Sequence, residues 1–137
     1  MLLSGGVGLT PMVSMMETIA NDHPGLETHY VHGTLSSATH AMGRHVQALA
    51  SRRPGLSVAT FYSEPLDIDI EGKSYDVTGM ITVDWLRANT PIAAADYFLC
   101  GPRPFLRYFV TGLAKARVPQ ERIRYEFFGP ADELLSA

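Results

Sequence analysis

The residues that most constrain the fold lie near the start of the sequence, where a glycine turn follows a short apolar run. Met1-Leu2-Leu3 is followed by Ser4 and then by Gly5, Gly6 and Gly8. Beyond the turn, apolar residues recur at helical spacing: Met12, Val13, Met15, Met16 and Ile19. This order is typical of a strand that passes through a tight turn into a helix. Thr10 suits the cap of that helix, and Pro11 suits its first turn, where no amide hydrogen is needed.

A turn of this kind is suited to bind an anion. The unpaired amides at a helix N-terminus carry partial positive charge, and glycines let a pyrophosphate approach the backbone closely. The segment from Gly6 to Pro11 therefore predicts a dinucleotide or another phosphate ligand; the alternative is an ordinary strand-to-helix turn. The segment matches neither a Rossmann fingerprint nor a P-loop. Pro11 stands where a third glycine is expected, His32 stands where an acidic residue is expected, and the P-loop lysine is absent.

Composition narrows the class of protein. A chain of 137 residues fits one domain, and a net charge of −3 without any Lys/Arg run argues against a nucleic-acid partner. The apolar runs are far shorter than the ~20 residues of a membrane span, and no signal peptide is evident. A single cysteine, Cys100, excludes an internal disulfide and fits a reducing compartment. We therefore expect a cytoplasmic protein without a membrane partner.

Strand and helix patterns alternate along the rest of the chain. Strands are predicted over residues 27–33, 56–62, 97–100 and 122–128, in addition to the first one. Helices are predicted around residues 42–49, after a possible cap at Thr82, and over 105–113, whereas the polar segment 63–80 is predicted to be a loop or hairpin. Five strands with intervening helices predict an α/β fold with three layers and a doubly wound parallel sheet over residues 1–137.

The first strand has only three apolar residues before Ser4, although strands usually run ~5–6 residues. In a doubly wound sheet the first strand is central and buried on both faces, so a shortened one is unexpected. We therefore expect residues 1–137 to be a fragment of a longer polypeptide. A native start at Met1, with a frayed strand, is the alternative.

Three segments together carry a family resemblance: Gly6 to Pro11, Cys100-Gly101-Pro102 and Tyr125 to Pro130. In this order and separation they resemble the nicotinamide-nucleotide domain of ferredoxin reductase-like flavoenzymes. Glu126-Phe127-Phe128-Gly129-Pro130, with Val118-Pro119 before it, most resembles the C-terminal end of flavohaemoglobins, the nitric oxide dioxygenases. The resemblance covers essentially the whole chain.

The resemblance implies a sheet of five strands in the order 3-2-1-4-5 and a set of site residues. The residues implied to hold the NAD pyrophosphate are Gly6, Val7, Gly8, Leu9, Thr10 and Pro11, with Thr10 near the nicotinamide. Cys100 is implied to lie beside the nicotinamide ring. Glu126 is implied to lie beside the flavin and to tune the redox potentials of the flavin and the haem. The residues implied to line the flavin are Phe127, Phe128, Gly129 and Pro130.

The chemistry of hydride transfer is consistent with these assignments. The protein must align two rings and exclude water, and small side chains at Thr10 and Cys100 allow the rings to stack. A carboxylate at Glu126 changes the energy of a charge developing on a flavin. Each residue also has a structural alternative: free cysteines are commonly small buried hydrophobes, and Phe127 and Phe128 could simply belong to the core of a strand.

The function implied is that of a reductase module that takes hydride from NADH, passes it to FAD and sends electrons to a haem. The haem would convert nitric oxide and oxygen to nitrate. The partners implied are the FAD domain and the globin domain of the same parent chain. Alternatives are the reductase component of an oxygenase, a flavin reductase, or a nucleotide-binding module without redox chemistry. NADH is expected over NADPH because Glu64, after the third strand, would repel a 2′-phosphate.

The sequence departs from the family in two respects. Arg117 stands where the family usually has glycine at a helix end, which costs ~1 kcal/mol or more if the left-handed conformation persists. Neither a globin with a proximal histidine nor the Arg-x-Tyr-Ser motif of a flavin barrel occurs in these residues. We therefore do not expect the chain alone to hold haem or to retain FAD.

A metal site is not expected among the five histidines. His29 and His32 would face opposite sides of a strand, and His40 and His45 do not share a helical face. With one cysteine, no zinc pattern can be drawn. His32 either borders the nucleotide or, as we expect, lies at a solvated strand end.

Overall fold

The computed structural model describes residues 1–6, 10–23 and 25–127. Within them the chain forms one parallel sheet, whose strands are β1 (Leu2–Gly5), β2 (Thr28–Thr34), β3 (Leu56–Tyr62), β4 (Val77–Thr78), β5 (Tyr97–Gly101) and β6 (Ile123–Phe127). Their order across the sheet is β4-β3-β2-β1-β5-β6. Without the two-residue strand β4, this is the predicted order of five strands.

Helices cover both faces of the sheet. The α-helices are α1 (Thr10–Asp22), α2 (Gly43–Arg52), α3 (Val83–Asn89) and α4 (Arg103–Lys115). Apolar residues of α1 and α2 share a buried cluster with Leu2 and Tyr30. Residues of α3 and α4 share a second buried cluster with Leu3 and Val31. The three-layer, doubly wound arrangement is therefore confirmed.

The first strand is central, as predicted. It pairs with β2 on one side and with β5 on the other, and all four of its residues are buried. Leu2 packs toward α1 and α2, whereas Leu3 packs toward α3 and α4. Neighbouring residues of one strand thus contribute to both cores, as the pleat of a sheet requires.

The prediction of five strands is wrong by one, because the segment after β3 adds a strand. Val77 and Thr78 pair in parallel with Phe61 and Tyr62. The pairing is held by Asp76, whose carboxylate accepts the Thr60 amide at 2.8 Å while its own amide donates to the Thr60 carbonyl at 2.9 Å. The acidic, polar composition of residues 63–80 predicted only a loop or hairpin.

The start of α3 behaves as the sequence predicts, and the end of α4 shows the conformation on which the expected cost at Arg117 depends. The Thr82 hydroxyl accepts a hydrogen bond from the Trp85 amide at 3.0 Å and caps α3. After α4, Arg117 has φ +66°, so the left-handed conformation persists without glycine. The Arg117 and Val118 amides donate to the carbonyls of Ala114 and Leu113, which is the Schellman pattern.

Among the described residues, no helix combines the length and apolar character needed to cross a membrane.

Candidate functional site

The candidate site lies at the carboxyl ends of β1 and β5. The chain leaves β1 toward α1 on one face of the sheet and leaves β5 toward α4 on the other. A crevice outside the strand ends at such a reversal is the usual ligand site of an open α/β sheet. The predicted turn and the Cys100-Gly101 pair therefore meet at this point.

Gly6 begins the predicted anion site, and the structure leaves room beside it. Its φ is +60°, and a β-carbon built on it would have no atom within 4 Å from the described part of the chain, its two neighbours in sequence left aside. Its amide donates to the Gly33 carbonyl at 2.8 Å, which ties the turn to the end of β2. A ligand could approach the backbone here, so Gly6 fits the role of a phosphate-contacting glycine.

Gly5 and Gly101 are glycines for a different reason. A β-carbon on either residue would lie 2.7 Å from a ring carbon of Phe105, from α4. The aromatic ring therefore packs against the ends of β1 and β5, where side chains would otherwise stand. The sequence pattern does not indicate this contact, because it places Phe105 only at the start of the helix predicted over residues 105–113.

The predicted residues Cys100 and Glu126 belong to a row that crosses the sheet at one level. Each member is the in-register partner of the next, so their side chains leave the same face of the sheet. The row runs through Thr60, His32, Ser4, Cys100 and Glu126. The structure thus places Cys100 directly beside Glu126, on the face that carries α1.

Cys100 and Glu126 differ in exposure. Cys100 is 0% exposed and packs in the cluster formed with α1 and α2, whereas Glu126 is exposed. Burial, and then the neighbouring Glu126 carboxylate, raise the pKa of the Cys100 thiol. Cys100 therefore has the environment of a small core residue, and its predicted place beside the nicotinamide stays a prediction, as does the role of Glu126.

The expectation that His32 lies at a solvated strand end is wrong. The residue is 1% exposed, and its Nδ1 lies 2.7 Å from the Ser4 hydroxyl, which is also 2.8 Å from the Tyr30 hydroxyl. Burial, and then the proximity of His40, lower the pKa of His32 to about 4. The imidazole is therefore neutral near pH 7. The position of His32 in a strand did not reveal that the strand end is covered.

His40 lies next to His32 and links it to β3. The two imidazole rings are 5.4 Å apart between centroids, and His40 Nδ1 lies 2.7 Å from the Tyr62 hydroxyl. A β-carbon on Gly43 would come within 3.0 Å of the His40 ring, so the glycine makes room for it. Burial lowers the pKa of His40. Tyr62 in turn stacks on Tyr75.

Glu64 lies just beyond β3, as the prediction about NADPH requires. Its side chain is exposed, and its amide donates to the Leu35 carbonyl at 2.9 Å. The following loop is fastened by Asp69, whose carboxylate accepts the amides of Ser37 and Leu66. Hydrogen bonds from Ser37 are the main cause that lowers the pKa of Asp69.

Several predicted site residues lie outside the described residues: Val7, Gly8, Leu9, Phe128, Gly129 and Pro130. Thr10 and Pro11 are placed in the first turn of α1 and Phe127 at the end of β6, but their side chains are not described. Over residues 1–6, 10–23 and 25–127, no group of three or more His, Cys, Asp or Glu side chains could hold a metal ion.

Comparison with known proteins gives a consistent result. The sequence profile of the family described as "Oxidoreductase NAD-binding domain" matches residues 2–111. A flavohemoprotein from Xylella fastidiosa strain 9a5c is 55% identical over 136 residues, which is 99% of this chain and 33% of that protein. A flavohemoprotein from Bacillus cereus strain ATCC 14579 is 40% identical over 133 residues, 97% of this chain and again 33% of the relative. The chain thus spans about a third of the length of these relatives.

Solved structures share the fold. The flavohem-like FAD/NAD-binding domain of nitric oxide dioxygenase from Vibrio cholerae superposes with a TM-score of 0.80 at 29% identity, covering 94% of this chain and 50% of that one. Flavohemoglobin from Malassezia yamatoensis, solved with FAD and heme, gives a TM-score of 0.78 at 26% identity, covering 93% and 31%. The Amycolatopsis cytochrome P450 reductase GcoB gives 0.79 at 26% identity, covering 95% and 37%.

Proposed function

Because the chain belongs to the family of oxidoreductase NAD-binding domains, we propose that it is the NADH-binding reductase module of a flavohaemoglobin. Residues 1–137 form one domain of a longer parent chain that also contains an FAD domain and a globin domain. In that parent, hydride passes from NADH to FAD, and electrons pass on to a haem that converts nitric oxide and oxygen to nitrate. The parent is expected in the cytoplasm.

The observation that carries the proposal is the open turn at Gly6, at the reversal point of the sheet and beside the row that contains Cys100 and Glu126. The space at Gly6, which no atom from the described part of the chain fills beyond the sequence neighbours, would admit a pyrophosphate, and the N-terminal end of α1 favours its negative charge. From there a dinucleotide can extend along the strand ends toward β5 and β6. Similarity to flavohemoproteins over 99% of the chain supports the same assignment.

When bound, the nicotinamide would supply a hydride to a flavin held by the neighbouring domain. The role of this chain is to bind the dinucleotide and to orient its nicotinamide ring. The turn from Gly6 to Pro11 holds the pyrophosphate, and Thr10 and Cys100 border the nicotinamide with small side chains. Glu126 is exposed at the end of the row, where its carboxylate can face a flavin. Phe127, Phe128, Gly129 and Pro130 contribute one wall of the flavin site and help to exclude water.

A reductase that serves another oxygenase is the second candidate. The fold similarity to the P450 reductase GcoB is nearly as high as that to the nitric oxide dioxygenase domain, with TM-scores of 0.79 and 0.80. Sequence similarity favours the flavohaemoglobin, because the Xylella relative is 55% identical over nearly the whole chain whereas GcoB is 26% identical. If the parent chain has no globin domain, the second candidate function, a reductase for another oxygenase, would be favoured.

Nucleotide titration tests the proposed function. Gly8→Val places a branched side chain where the pyrophosphate approaches, so we expect NADH affinity, followed by NADH fluorescence, to fall by an order of magnitude or more. Gly25→Val is the matched control, because a β-carbon at Gly25 meets no described atom within 4 Å apart from its sequence neighbours, and the residue lies at the opposite end of the sheet. Circular dichroism should show that both variants are folded. Unchanged affinity in a folded Gly8→Val variant would contradict the proposed phosphate site.

The same titration tests the nucleotide preference. Glu64 repels the 2′-phosphate of NADPH, but an exposed like charge is worth at most ~1 kcal/mol, or about fivefold in affinity. NADPH should therefore bind more weakly than NADH, and Glu64→Gln should narrow the difference. If the unmodified chain binds NADPH as tightly as NADH, or more tightly, the predicted preference for NADH is wrong.

A further inference from the structure

The strand β6 lies at one edge of the sheet, and its outer edge lacks the usual protection. Among the described residues only β5 pairs with it, over the five residues from Ile123 to Phe127. Natural sheets protect an edge with a very short strand, a bulge, a proline or lysines. The opposite edge strand, β4, is only two residues long. In contrast, β6 contains neither proline nor lysine and pairs with β5 without a bulge, so its outer edge can accept another strand.

Both faces of the sheet are open beside this edge. Tyr125 is in register with Leu99, in the core under α3 and α4, yet it is 62% exposed. Arg124 and Glu126 lie on the opposite face, which carries α1, and both are exposed. The Arg124 guanidinium lies 5.5 Å from the centre of the Phe98 ring, which keeps it on that face. Since none of the described helices covers these side chains, a second strand can approach in the plane of the sheet.

The charges on β6 favour a second copy of the same chain as that strand. A two-fold axis perpendicular to the sheet pairs β6 with β6 in antiparallel orientation, and directly opposite residues then share a face. With the axis at Tyr125, Arg124 of each copy lies opposite Glu126 of the other. Opposite charges at such positions stabilise a pair of strands, and like charges destabilise it. An axis at Arg124 would oppose two arginines, and an axis at Glu126 would oppose two glutamates. The strand is thus self-complementary in one register.

The other face of the sheet is compatible with the same register. Tyr125 would lie opposite Tyr125 of the second copy, and cross-strand aromatic pairs are favourable. A groove between α4 and β6 adjoins this position, and its lining includes Val110, Ala114 and Ile123. The groove leaves room for the two rings, which would lose contact with water when the strands pair.

We infer that two copies of this chain associate through β6, in an antiparallel pair centred on Tyr125 that joins their sheets. The inference goes beyond the proposed function and does not depend on it, since no nucleotide takes part. Each copy contributes one strand of five residues, so the contact is small and the dimer is weak and reversible. The ion pairs between Arg124 and Glu126 are exposed, so added salt should weaken the dimer.

Charge reversal tests the pairing, with sedimentation velocity over a wide range of chain concentration as the measurement. Arg124→Glu opposes two carboxylates at each former ion pair, so the dissociation constant should rise about tenfold or more. Adding Glu126→Arg to Arg124→Glu restores opposite charges and should recover the dimer. Arg52→Glu is the matched control, because Arg52 is exposed at the end of α2, which covers another part of the sheet.

Circular dichroism should show that these variants are folded. The inference is wrong if the unmodified chain is monomeric at every concentration, or if Arg124→Glu leaves the dimer unchanged. It is also wrong if the charge-swapped double variant stays as monomeric as Arg124→Glu.

Cysteine cross-linking tests the register without relying on charge. In Tyr125→Cys the two β-carbons would lie ~4.5–5.5 Å apart, so mild oxidation should link the copies. A cysteine at Arg124 or Glu126 would lie ~7–8 Å from its own copy, too far for a disulfide. Those two variants should link only when they are mixed with each other. The native Cys100 is 0% exposed and is common to all variants. Failure of Tyr125→Cys to link, or equal linking by each single variant alone, overturns the proposed register.

Discussion

The buried imidazole of His32 makes the stability of the domain depend on pH. A histidine in an unfolded chain has a pKa of ~6.5, whereas burial and the proximity of His40 lower the pKa of His32 in the folded chain to about 4. Between these pH values the unfolded chain binds more protons than the folded chain. The contribution of the neutral His32 to the free energy of unfolding is therefore fully present above pH ~6.5 and is lost as the pH falls toward 4. The shift corresponds to a loss of about 3 kcal/mol, and the lowered pKa of His40 acts in the same direction.

Urea unfolding at a series of pH values measures this dependence. The free energy of unfolding should fall between pH 6.5 and pH 4, and His32→Asn should show a shallower fall because one titrating group has been removed. Curves of equal slope for the two proteins would mean that His32 keeps an ordinary pKa in the folded state.

At the scale of elements, the ring of Phe105 joins the ends of β1 and β5. Gly101→Ala would place a β-carbon 2.7 Å from Phe105 Cδ1, and we expect it to cost about 1–3 kcal/mol of stability through overpacking. In a Phe105→Ala background the cost should largely disappear, because the ring is no longer there. A double-mutant cycle on unfolding free energies measures this coupling.

The control for this cycle is Gly25→Ala, where a β-carbon meets no atom of the described residues within 4 Å, its sequence neighbours excepted. It should change stability little and should be additive with Phe105→Ala. If Gly101→Ala costs the same with and without the ring, the packing explanation is wrong.

Elements with a strong local pattern were predictable from the sequence, and those built by distant contacts were not. The bounds of β3 and the cap at Thr82 follow from local alternation and hydrogen-bonding chemistry. In contrast, β4 depends on Asp76 reaching Thr60, and the burial of His32 depends on Ser4 and His40. Such partners are far apart in sequence, so no local pattern indicates them.

Much the same holds for the candidate site. The turn at Gly6 was predictable because φ and backbone access are local properties of glycine. The row that brings Cys100 beside Glu126 depends on the register of β5 and β6. The family resemblance implies a role for each residue but does not give this register.

For the whole molecule, we expect the purified chain to bind NAD weakly and to carry neither flavin nor haem colour. Under the proposed function, Glu126 and Phe127 to Pro130 would provide only one wall of a flavin site, and free FAD held by one wall lacks the preorganisation of a tight site. NADH oxidation should not exceed the rate with free flavin.

A parent chain that adds the flavin domain should turn over NADH, and Glu126→Gln in that longer chain should slow electron transfer while leaving NADH affinity nearly intact. A chain that purifies yellow and oxidises NADH would contradict this expectation.

The central place of β1 also has a consequence for the order of folding. Leu2 pairs with Tyr30 on one side but with Phe98 on the other, so the second pairing must close a loop that contains most of the domain. Loop closure of this length is entropically costly, and parallel pairing over long sequence separations is slow. During synthesis, β1 can pair with β2 early, but its other edge must wait until β5 has been made. The edge of β1 that faces β5 is thus sheltered later than the edge that faces β2, and that interval is when a nascent chain is most exposed to mispairing.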